Sequence, residues 1–154
     1  MSGRYAESTS VSSSSSRAEI ERTLRRYGAT EFAYGWSDGR AVLGFVVAAR
    51  PVRFVLPMPD PAGREFTHSP TGRARTAAAA ETAHEQAVRQ RWRALALVVK
   101  AKLEAVAAGI VTFDEEFLAH LVMPDGSTVG QAIVPRLDGA LSTASLLPAI
   151  GGRS

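Results

Sequence analysis

The chain of 154 residues contains no cysteine, which removes a disulfide framework, a thiolate zinc site and a cysteine nucleophile together. No apolar run approaches the roughly 18 residues that a membrane span requires. The opening MSGRYAESTSVSSSSS also has no apolar stretch of signal-peptide length. A soluble, cytoplasmic protein without a membrane partner is therefore expected. Histidine is scarce, and His68, His84 and His120 are far apart in sequence. His84-Glu85 begins a metalloprotease-like pattern, but Val88 stands where the second histidine is needed, so no metal site is expected. There is no Walker A loop and no GxGxxG fingerprint, and no serine-nucleophile elbow is expected. Neither an enzyme nor a cofactor is implied.

Lysine is nearly missing too: of 18 basic residues only Lys100 and Lys102 are not arginine. GC-rich coding produces such a bias. Arginine also supplies planar, bidentate donors suited to phosphate and to stacking on bases. Charge is unevenly placed, since residues 1–109 hold an excess of basic over acidic side chains and residues 110–154 the reverse. The hydrophobic fraction of 45% and charged fraction of 21% are ordinary for a globular chain, so one packed core is expected.

Residues 1–15 are serine-rich without apolar periodicity and are expected to form a disordered tail. Ser16-Arg17-Ala18-Glu19 reads as a capping box, followed by Ile20, Leu24 and Tyr27 at helical spacing and by Gly28, which predicts a short helix carrying Arg22, Arg25 and Arg26. Three strand-like runs follow, at 32–36, 41–47 and 52–56, the first two joined by the Asp38-Gly39 hairpin signal. Alternation places Phe32, Tyr34 and Trp36 on one strand face, as a core face or a stacking platform. Residues 57–76, rich in proline, glycine and arginine, predict an irregular connector, with Arg64, His68, Arg73 and Arg75 as a potential basic arm diluted by Asp60 and Glu65.

From Ala77 to Ala108 a helical pattern places Val88, Trp92, Leu95, Val99, Leu103 and Val106 in one stripe. Arg89, Arg93 and Lys100 border it on one flank, Arg91 and Lys102 on the other. Ala94, Leu97 and Ala101 offer a second face for a partner subunit. Thr112-Phe113-Asp114-Glu115 is another capping box, its acidic run suited to a helix's first turn. Ser127 or Thr128 caps a last helix through Val129, Ile133 and Leu137, with a break at Pro135. The ending LLPAIGGRS reads as a tail that docks through Leu146, Leu147 and Ile150. The expected fold is α+β, a single domain over 16–141: a short N-terminal helix, a three-stranded antiparallel meander, one long helix packed on the sheet and a short helical C-terminal unit. Residues 142–154 form its tail.

The block WRALALVVKAKLEAVAAGIVTFDEEFLAHLVMPDGSTVG, with RYGATEFAYGW and PTGRAR upstream, resembles a family of small uncharacterised proteins of phages, prophages and high-GC bacterial genomes. The resemblance implies a mobile-element context and assigns no activity or residue role. The function expected is nucleic-acid binding, DNA or RNA, with phosphate contacts from Arg53, Arg64, Arg73, Arg75, Arg89, Arg93 and Lys100 and base stacking by Tyr34 or Trp36. The alternative is a protein-interaction module or homo-oligomer whose basic residues merely solvate the surface.

Overall fold

The computed structural model describes residues 15–141. The serine-rich stretch and the ending with Leu146, Leu147 and Ile150 lie outside the described residues, apart from residue 15. The architecture is α+β in the expected order. Residues 15–26 are helical (α1). An antiparallel meander follows, of β1 (Ala29–Ser37), β2 (Arg40–Val47) and β3 (Arg50–Pro57) in sheet order β1-β2-β3. The one-turn α2 (Arg64–Thr67) leads into the long α3 (Ala77–Ala107). The C-terminal unit holds α4 (Phe113–Phe117), α5 (Val129–Ile133) and α6 (Leu137–Ala140), with 3-10 turns at Leu118–His120 and Val134–Arg136.

Alternation along the strands divides the sheet into two faces. Phe32, Phe45 and Val52 share one cross-strand row and Tyr34, Leu43 and Phe54 the next. Those rows meet Val88, Trp92, Leu95, Val99 and Leu103 of α3, with Ile20 and Leu24 of α1 and Phe117 of α4 completing the core. The fully buried Phe117 lies edge-on to Phe45 and Phe54, at 6.0 and 6.3 Å between ring centres. The opposite sheet face carries Ala33, Gly35, Val42, Gly44, Val46, Arg53 and Val55.

The turns show where local chemistry decided the geometry. Asp38 and Gly39 both take positive φ, at 49° and 70°, as the primed hairpin turn demands. Ala48 and Ala49, at 49° and 64°, make the second hairpin the same way without a glycine or asparagine. Thr112–Glu115 and Thr128–Gln131 each form a reciprocal capping box. Pro135 stands in the 3-10 turn that separates α5 from α6.

Two expectations change. Ser16 is already helical, so it is not the N-cap; a run of serines offers the same capping oxygen at every position, and spacing to Glu19 does not choose among them. The connector after β3 is more ordered than its composition suggests. Phe66 buries itself edge-on to His84 of α3, at 5.2 Å between ring centres, and His68 pairs with Ala74 across a turn at Gly72.

Candidate nucleic-acid interface

The cations of this chain divide by what holds them. Arg50 grips Asp114 through two bonds of 2.8 and 3.1 Å, and this pairing lowers the carboxyl of Asp114 below its usual range. Lys102 bridges α3 to α4 through Glu116 at 3.1 Å, and Arg25 pairs with Glu21 one helical turn away. Arg91 donates to the carbonyl of Pro57 at 2.8 Å and so ties α3 to the end of β3. Arg53 donates to the carbonyl of Gly126 at 2.7 Å, pinning the C-terminal unit against β3. Arg75 donates to the carbonyls of Glu65 and Phe66 at 3.2 and 3.3 Å. Arg53 and Arg75, expected to meet phosphate, are thus first of all structural clamps.

Arg89, Arg93 and Lys100 have no hydrogen-bond or ion-pair partner among the described residues. At 100° per residue they fall on one flank of α3, opposite Arg91 and Lys102. α1 packs over Trp92, on the β1 side of the stripe. The Trp92 ring lies 5.7 Å from Tyr34 of β1 and beneath the Arg17 guanidinium of α1 at 6.0 Å, whereas Arg91 and Lys102 reach β3 and α4. Exposed Arg22 and Arg26 lie on α1 itself. Arg22 has no partner among the described residues, and Arg26 stacks only on Tyr27 at 5.4 Å. Arg64 and Arg73 are exposed on the far side, where α2 packs against α3. The nine expected contact residues therefore form no single patch.

The aromatic strand also divides. Tyr34 is packed between Phe32, at 4.5 Å, and Trp92, and its hydroxyl donates to the carbonyl of Arg17 at 2.8 Å. Burial raises its phenol above the ordinary value. The ring is committed to the core and joins α1 to the sheet. Trp36, two residues on, is 64% exposed beside the β1–β2 hairpin and stays accessible for stacking.

Gly35-Trp36-Ser37-Asp38-Gly39 has the literal G-x-S-x-G spacing of a nucleophile elbow. It lies at a strand-to-strand hairpin, however, and the elbow requires a strand-to-helix turn. Among the described residues no group of three or more His, Asp or Glu side chains is placed to hold a metal ion, and no helix is long and apolar enough to cross a membrane. Arg22 and Arg26 were legible as helix residues; what sequence spacing did not reveal is that α1 packs over Trp92 of α3. No protein-family model, curated protein or solved structure matches the chain.

Proposed function

We propose that this chain is a non-enzymatic nucleic-acid-binding accessory protein of a mobile element. On this reading Arg89, Arg93 and Lys100 of α3, with Arg22 and Arg26 of α1, hold phosphates on one flank. The observation that carries it is selective pairing: Arg50, Arg53, Arg91 and Lys102, which reach β3 or the C-terminal unit, are tied to carboxylates or carbonyls, while Arg89, Arg93 and Lys100 have no such partner among the described residues. Trp36 is the aromatic available for stacking on a base, an interaction worth about 1–3 kcal/mol per base. The test is anisotropy with single-stranded DNA, duplex DNA and RNA at low salt; binding to none of the three overturns the reading.

A specific feature favours a second reading, in which the chain binds another protein or a second copy. The outward face of α3 has an alanine at every seventh residue (Ala80, Ala87, Ala94 and Ala101), with Leu97 62% and Val98 43% exposed beside them. Heptad spacing of small residues suits close helix pairing. Failure of the nucleic-acid screen together with concentration-dependent self-association or partner capture through Leu97 supports this alternative.

A further inference from the structure

Residues 63–75 fold into a small lobe that the α3 flank does not use. Ser69 donates its N–H to the carbonyl of Arg73 at 2.7 Å, Gly72 donates to Ser69 at 2.9 Å, and Arg75 donates to Thr67 at 2.8 Å. Gly72 takes φ +87°, which lets this turn close. Phe66 anchors the lobe on His84 of α3. A shallow basin opens in it, lined by Arg64, Glu65, His68, Ser69, Pro70 and Arg75.

The donors left over in this basin are numerous for its size. Arg64 has no partner among the described residues. Arg75 spends only Nη1 on the two carbonyls of α2, which fixes its guanidinium while leaving Nε and Nη2 unspent. His68 sets Nδ1 against the Thr67 hydroxyl at 2.9 Å; with the hydroxyl donating to Nδ1, Nε2 carries the proton and is the free donor. The one carboxylate of the lining is folded back: Oε2 of Glu65 lies so close over Gly63 that a Cβ there would meet it at 2.7 Å. Two planar guanidinium groups and an imidazole around one concavity are the donor types that suit phosphate oxygens.

We propose that this basin is a seat for a phosphate group, with Arg75 as its fixed donor and Arg64 and His68 closing on the anion. The phosphate belongs either to a polynucleotide backbone or to a free phosphate ester; only the first source rests on the nucleic-acid reading. The seat is distinct from the α3 flank, since α2 packs on the side of α3 that carries His84 and Arg91.

The test is titration of inorganic phosphate into the isotope-labelled full chain, read by NMR. The Arg75 Nε–H and the Ser69 and Arg75 amide signals are expected to shift saturably. Arg64→Gln/His68→Gln is expected to weaken the apparent affinity about tenfold, a loss of roughly 1.4 kcal/mol. Arg64→Gln alone, at an exposed position, gives the same direction without touching the lobe's packing. Absence of saturable shifts, or equal shifts in a variant whose spectrum otherwise overlays the parent, overturns the seat. A thymidine oligonucleotide that moves the same signals identifies a polymer as the source, and phosphate acting alone identifies a free ester. Arg89→Gln/Arg93→Gln/Lys100→Gln leaves the phosphate shifts unchanged if the seat is independent; their loss in that variant also overturns it. A failed seat with intact polynucleotide binding removes only the seat, whereas an intact seat with no polynucleotide binding removes only the polymer.

Discussion

Trp92 is the residue on which three elements converge: it sits in the α3 stripe, meets Tyr34 of β1 and lies beneath Arg17 of α1, at 2% exposure. Its indole Nε1 is buried without a hydrogen-bond partner. Truncation to alanine removes a large buried volume and is expected to cost about 3–5 kcal/mol, enough to unfold a domain of ordinary stability. Trp92→Phe also loses volume but removes the unsatisfied donor, so a cost below about 2 kcal/mol is expected. Thermal melts of both variants decide it; an unchanged melting temperature in the alanine variant contradicts the core assignment. Ala48 and Ala49 invite the opposite change. Each occupies left-handed backbone that costs an L-residue roughly 1 kcal/mol, so Ala48→Asn/Ala49→Gly is expected to raise stability by about 1 kcal/mol. A lower melting temperature would contradict the turn. His120 provides a pH signature. It stacks on Phe54 at 4.0 Å, and burial, then the Lys102 cation, lowers its pKa from 6.5. The folded state therefore binds the proton less readily than the unfolded one, and stability falls as pH drops below the unfolded value toward the folded one. Melting temperature is expected to decline as pH falls below about 6.5, and His120→Gln is expected to reduce that decline. An equal decline in the variant would place the effect elsewhere.

At the scale of elements, much was legible because the signals are local. The stripe from Val88 to Leu103 repeats at the helical period, Asp38-Gly39 specifies a primed turn, and Thr112–Glu115 satisfies its own backbone donors within one turn. The Ala48–Ala49 hairpin was not legible, because alanine carries no turn preference and only the pairing of β2 with β3 forces it into positive φ. The helical turn at Arg64–Thr67 was hidden for a related reason: a four-residue helix has too little pattern to read, and burial of Phe66 against α3 holds it. The long helix is the element where fold and proposed function divide cleanly, its inner stripe closing the core while its flank and outer face stay free of it.

Across the whole molecule, the net charge of +3 says little, and the distribution of pairing says more. Arg53 reaches Gly126, 73 positions away, and Arg50 reaches Asp114, 64 positions away. No spacing rule foretells such pairings, so reading the sequence alone puts Arg53 among the phosphate binders and leaves Arg22 and Arg26 out. Of the residues expected at the site, Arg89, Arg93 and Lys100 fall on one flank of α3, Arg64 and Arg75 line a separate basin, and Tyr34 is committed to packing. The measurement that tests the central claim most directly is the salt dependence of polynucleotide affinity for the parent and for Arg89→Gln/Arg93→Gln/Lys100→Gln. Glutamine keeps helix propensity, and because none of the three side chains is paired among the described residues, the melting temperature is expected to stay within a small shift of the parent's. Affinity for every sequence is expected to fall, and the log–log salt slope to flatten by about 0.7–0.9 for each phosphate no longer neutralised. A triple variant that folds like the parent and binds with the same affinity and slope would contradict the account.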